Sequence, residues 1–411
     1  MKIFLSRWLT ITFLNFLLVA FLGFILRYKI AFYLPFVEQK NLLHSHSHFA
    51  FSGWISQTLM VLMVYYLSQQ LGEGAEKKYR WILIANLLSA YGMLVSFIIF
   101  GYASVSIFFS TLSLFISFAF ALIFWRDLNK VSNYPVSTLW FKAALFFSVI
   151  SSIGPFSLAY MMIEKITDPN WYLASVYFFL HFQYNGWFFF SGMGLLASKL
   201  EMIPAARKSL YYSFILFCAA CIPAYFLSVL WLPASESIYY LLILAVIAQL
   251  LGWGFILRII MRHKALIGTQ FSRHGKILLI LAAVAFTIKL LLQTGSIHPG
   301  LSQLSYGFRP IIIGYLHLVL LGVTSIFIIG YILSLDLLAI SRKFIVGVYI
   351  FVAGVIINEL LLMVQGVAAL SYTIVPYINL MLLAAALILV SGIFLMFTAF
   401  LSYNRPVGAS Q

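Results

Sequence analysis

Imidazoles set at depth in apolar sequence are the groups most able to do chemistry in this chain. Eight histidines occur, at 44, 46, 48, 181, 263, 274, 298 and 317. His263 and His274 sit in a basic loop, and His298 sits in a loop beside Pro299. The run His44-Ser45-His46-Ser47-His48 opens one apolar stretch. His181 lies roughly ten residues into another stretch and His317 roughly seven into a third, which at 1.5 Å per residue is within about 15 Å of one membrane face. A strongly polar side chain in hydrocarbon is costly and faces the bundle interior. A buried neutral imidazole needs partners for both ring nitrogens. A metal or haem iron satisfies one nitrogen and a protein acceptor the other. A hydrogen-bonded core residue is the plain alternative for any one of them. Three imidazoles at comparable depth on three stretches shift the reading toward a bound haem or metal.

In the 44–48 run, His44 and His48 are four apart and share a helix face, while His46 points nearly opposite. If the run is extended, all three share one side. His48 is the deepest, followed by Phe49-Ala50-Phe51-Ser52-Gly53-Trp54, and is chosen as the buried ligand. His44 and His46 are interface loop residues or ligands for surface copper or zinc.

The elements that position these groups are membrane helices. Of the 411 residues, 64% are hydrophobic, 18% aromatic and only 9% charged. That excludes a soluble enzyme, a disordered chain, a coiled coil and a disulfide scaffold. Twelve apolar stretches run at 8–27, 44–69, 80–101, 104–125, 139–163, 171–198, 207–231, 237–260, 276–294, 310–334, 342–368 and 373–401. The expected fold class is an all-α integral membrane protein of twelve transmembrane helices. It forms one membrane domain over 1–402 with a short cytoplasmic tail at 403–411.

The net charge of +15 sits in short loops, so it speaks for orientation and not for nucleic acid. Alternate loops hold most of the Lys and Arg, among them Lys77, Lys78, Arg80, Arg126, Lys130, Lys199, Arg207, Arg258, Arg262 and Arg342. The other set holds Arg27, Lys29, Lys40, Lys165, Lys289 and Arg309. The positive-inside rule then places both termini in the cytoplasm and the protein in the cytoplasmic (inner) membrane. The basic loop Met261–Gly275 meets anionic lipid heads. No internal repeat is evident.

Further polar residues fall within the apolar stretches. Cys218 and Cys221 form a C-x-x-C at one helix face, read as small buried hydrophobes with a soft-metal or redox pair as the alternative. Lys289 and Glu359 are buried charges. Glu359 suits a proton path. Arg309, just before the stretch carrying His317, suits a pair of haem carboxylates, as does Lys289. Gln183, Tyr184, Asn185 and Gln293 line an outer cavity.

Twelve spans with histidines on the second, sixth and tenth resemble subunit I of the haem-copper oxidases, which include cytochrome oxidases and nitric oxide reductases. Tyr315-Leu316-His317-Leu318-Val319-Leu320-Leu321-Gly322 is similar to the family's tenth helix, where His317 matches the low-spin haem ligand. His48 is similar to the second-helix ligand of the same haem. Phe178-Phe179-Leu180-His181-Phe182-Gln183-Tyr184-Asn185-Gly186 is similar to the sixth-helix motif, where His181 matches a copper- or iron-binding histidine. Three family positions depart. The high-spin haem ligand falls at Tyr315, the acidic sixth-helix residue at Asn185, and the seventh span has no histidine.

The resemblance therefore implies haem b held by His48 and His317, with Arg309 on its carboxylates. His181 is all that stands for a copper or non-haem iron centre, while His44 remains a further metal ligand read from its own run. A haem with both axial positions filled carries electrons, so electron transfer or gas sensing is expected, with lipid and a quinone or redox protein as partners. An active oxidase or nitric oxide reductase with non-standard ligands, a haem- and copper-binding protein of nitric oxide response, and a proton-coupled transporter are the alternatives.

Overall fold

The computed structural model describes residues 2–403 apart from 73, 134, 234, 299, 302–307 and 336–339. Of the expected tail at 403–411, Tyr403 ends the last helix and 404–411 lie outside the described residues. Among those described, twelve long helical runs follow one another. They are α1 (Lys2–Ala31), α2 (Gln39–Leu71), α3 (Ala75–Phe100), α4 (Ser104–Leu128), α5 (Val136–Ile163) and α6 (Pro169–Leu200). Then come α7 (Pro204–Val229), α8 (Glu236–Arg262), α9 (Arg273–Gly295), α10 (Arg309–Leu333), α11 (Arg342–Leu370) and α12 (Ile378–Tyr403). The basic loop after α8 holds a short helix, Lys264–Gln270.

Ten of these are long and apolar enough to cross a membrane, and α7 makes eleven if its two bent halves count as one span. The exception is α6, whose middle carries His181, Gln183, Tyr184 and Asn185. Polarity lowers its hydropathy where the candidate chemistry is. The bend in α7 is 47° and falls at Pro223. Proline has no N–H for the helical ladder, and its ring crowds the carbonyl one turn back.

Helix starts are marked by side chains. The Asp168 carboxylate accepts from the Asn170 and Trp171 amides, with Pro169 at the first helical position of α6. The Ser272 and Ser341 hydroxyls accept from the amides of Gly275 and Phe344 at the starts of α9 and α11. Outward faces are apolar. Trp81, Leu88 and Val95 of α3 are 73%, 65% and 52% exposed at seven-residue spacing. In water such a stripe would be a liability, whereas in hydrocarbon it is the lipid contact.

The chain forms two compact units. Unit 1 comprises 1–120 and 335–411, and unit 2 comprises 121–334, the division falling inside α4. In unit 1, α12 packs on α11 and on α1. A Cβ on Gly392 would lie 2.5 Å from the Phe351 backbone nitrogen, and one on Gly347 would lie 2.7 Å from the Gly392 oxygen. These glycines let two backbones touch, which matters where lipid removes the hydrophobic drive between helices. In unit 2, α8 packs on α7, α6 on α5, and α9 on α10.

Gly392→Leu should therefore force α11 and α12 apart, at a cost of about 3 kcal/mol. Thermal melting in detergent measures this, and an unchanged melt would show that the two backbones are not in contact.

Candidate functional site

Three stretches of π-helix occur among the described residues: Ala50–Ser56 in α2, Phe182–Phe188 in α6 and Leu318–Ser325 in α10. Such turns are rare and concentrate at functional sites. Each begins within two residues of a histidine singled out above, namely His48, His181 and His317. Each also contains a glycine five residues after that histidine: Gly53, Gly186 and Gly322. His48-Phe-Ala-Phe-Ser-Gly-Trp and His181-Phe-Gln-Tyr-Asn-Gly-Trp agree further. His48 and His181 are 133 residues apart, and His181 and His317 are 136 apart. The device therefore falls on the second helix of each consecutive set of four. This corrects the reading that no internal repeat is present. The shared signal is a single short motif, diluted by apolar sequence that looks alike everywhere.

A π-turn trades i, i+4 bonds for i, i+5 bonds, as where the Gln57 amide bonds to the Ser52 carbonyl, and its carbonyls take further donors. Unit 1 supplies them from neighbouring helices. The Asn15 amide of α1 donates to the Gly53 carbonyl at 2.6 Å, and the Asn86 amide of α3 donates to the Ser52 carbonyl at 3.2 Å. Both asparagines are anchored in turn. The Tyr91 hydroxyl donates to Asn15 Oδ1 at 2.8 Å, and Asn86 also donates to Gln57 Oε1 at 2.7 Å. In α10 the hydroxyls of Thr324 and Ser325 reach back five residues to the carbonyls of Val319 and Leu320.

The histidine run is helical, so its faces divide. His44 and His48 both lie against Phe97 and Tyr102. His48 stacks on Phe97 at 4.4 Å, and its Nε2 contacts the Tyr102 hydroxyl at 3.3 Å. Nε2 of His44 is buried and has no partner, so of this pair it is the nitrogen most open to a metal. His46 faces α1, where its Nδ1 donates to the Val19 carbonyl at 3.0 Å. Gly23 makes room for that ring, since a Cβ there would lie 3.2 Å from Cε1.

In unit 2, Nδ1 of His317 donates to the Ile313 carbonyl at 2.8 Å. A carbonyl only accepts, so Nδ1 carries the hydrogen and Nε2 the lone pair. This is the second-shell arrangement typical of a ligating imidazole, and His46 shares it. The π segments of α6 and α10 touch, and the rings of Tyr184 and Tyr315 lie 6.2 Å apart.

His181 is different. It is fully buried. Its Nε2 donates to the Cys221 carbonyl at 2.8 Å, and its Nδ1 accepts from the Asn185 amide at 3.1 Å. The bend in α7 makes the Cys221 carbonyl available, because the Tyr225 amide bonds to Ile222 and not to Cys221 one full turn back. Both ring nitrogens are thus engaged by protein, and metal ligation at His181 would require one of these bonds to break. Among the described residues no three of His, Cys, Asp and Glu come together as a metal cluster. Arg309 opens α10 and is exposed, and Glu359 is half-buried, accepting from Asn358 at 3.1 Å. Cys218 and Cys221 are free thiols.

No protein-family model matches the chain, and no curated protein matches it in sequence.

Asn15→Leu should remove a donor from the Gly53 carbonyl and the acceptor of the Tyr91 hydroxyl together, lowering stability by about 1–2 kcal/mol. Melting in detergent measures it. A loss indistinguishable from zero would mean that the π-turn does not depend on this donor.

Proposed function

We propose that this chain is a haem-binding membrane protein of twelve crossings, built like subunit I of the haem-copper oxidases, that transfers electrons through a bis-histidine haem b. The observation carrying the reading is the threefold recurrence of histidine, π-turn and glycine on α2, α6 and α10. A rare backbone device repeated beside the same residue type marks these helices as the functional ones. Both termini lie in the cytoplasm, in keeping with the loop charges.

His317 and His48 are the residues that would hold the haem. His317 fits because its hydrogen is held at Nδ1, which presents Nε2 as the ligating atom. His48 occupies the matching place in the repeated motif, and ligation through its Nε2 would replace the Tyr102 contact. A specific observation favours a second assignment in α2, since His46 has the same carbonyl-held Nδ1 as His317. Held by two imidazoles, a haem would supply one-electron transfer here. The protein's part is to hold the rings, fix their tautomers and exclude water. His181, bonded at both nitrogens, serves in this reading as a positioning residue between α6 and α7. Arg309 remains the proposed carboxylate partner of the haem, and a quinone or redox protein its electron partner.

A reduced-minus-oxidised visible spectrum of the purified protein should show sharp low-spin bands that carbon monoxide leaves unchanged. A colourless protein would exclude haem, and a large carbon monoxide shift would restore an oxygen- or nitric-oxide-reducing centre. His317→Ala should abolish the bands. Between His48→Ala and His46→Ala, the variant that also loses them identifies the ligand in α2, and survival of the bands in all three would end the assignment. For topology, a C-terminal fluorescent protein should fluoresce in cells, and a C-terminal phosphatase that needs an oxidising compartment should stay inactive.

A further inference from the structure

Lys289 of α9 is 4% exposed, inside unit 2 and six residues before the end of its helix. Among the described residues no carboxylate pairs with it, and no hydrogen bond is made by its ammonium. Its closest companion is the Phe286 ring, 5.1 Å from Nζ to the centroid. The ammonium lines a small, partly open cavity with Asn185, Cys221 and Gln249, with room for about one water molecule. Cys221 supplies no negative charge there, because its Sγ keeps a hydrogen directed at the Asn185 carbonyl, 3.8 Å away. The Gln249 side chain is likewise buried and makes no hydrogen bond, so its amide N–H groups are the donors available to an anion.

A buried charge is tolerated when it is paired. Here a cation, a cavity and an unpartnered amide coincide, and no protein group supplies the opposite sign. We propose that this cavity binds a small monovalent anion of the halide class, held by the Lys289 ammonium and the Gln249 amide. Water alone fills the space without offsetting the charge. A haem carboxylate would bring its macrocycle with it, and the cavity is too small to admit that. The site is independent of the haem reading, since it needs neither His48 nor His317.

The test is a thermal titration of the purified protein exchanged into sodium gluconate, with chloride or bromide added at constant ionic strength. The melting temperature should rise saturably, by about 3–6 °C at hundredfold excess of halide over its Kd. Lys289→Met removes the charge, so in gluconate it should melt above the wild type and should not respond to halide. A wild type that does not respond overturns the site, as does a Lys289→Met variant that responds equally. Should that variant fail to accumulate, Gln249→Leu serves in its place. There a halide midpoint shifted upward by about tenfold supports the site, and an unshifted one overturns it.

Discussion

A carbonyl freed from its helical partner inside a membrane must find another donor, and much of this structure follows from that demand. Three helices each carry a widened turn, whose i, i+5 bonds leave carbonyls open to a second donor. In unit 1 those donors are Asn15 and Asn86, polar residues deep in apolar helices. Their own partners, Tyr91 and Gln57, extend the requirement to a second layer. In α10 the chain solves the problem locally, with Thr324 and Ser325. The widened turn also rotates the histidine before it relative to the helix after it, so ring placement and backbone satisfaction are one problem with one solution.

The helical architecture was legible because hydrocarbon imposes a length and a composition. Every predicted stretch corresponds to a helical run, with ends shifted by a few residues and caps such as Asp168 and Ser341 where side chains could be read. Hydropathy alone was less informative at α6 and α7. In α6 the polar residues about His181 dilute the apolar signal, and in α7 Pro223 divides the span. These are the places where local chemistry competes with the demand of the bilayer.

The site was legible by residue and not by geometry. Depth and residue type were enough to choose His48, His181 and His317. What each ring bonds to was not, because tautomer and facing depend on carbonyls contributed by distant turns. Val19 decides how His46 is held and Cys221 decides how His181 is held, and neither residue carries side-chain chemistry that would attract notice. The repeat was present in the sequence as His-x-x-x-x-Gly, but five-residue spacing has no meaning in a regular α-helix. It acquires one only when the turn is known to be π. Likewise, Lys289 reads as a buried charge in sequence, while its lack of an acidic partner is a property of the packed chain.

The proline bend in α7 has a consequence for proton chemistry. It surrenders one main-chain oxygen to an imidazole on another helix and so freezes that imidazole in a single tautomer, with neither nitrogen available for exchange. Straightening the segment would let the backbone reclaim its oxygen and turn the ring loose. The reactivity of the most deeply enclosed histidine is thus governed by the curvature of its neighbour.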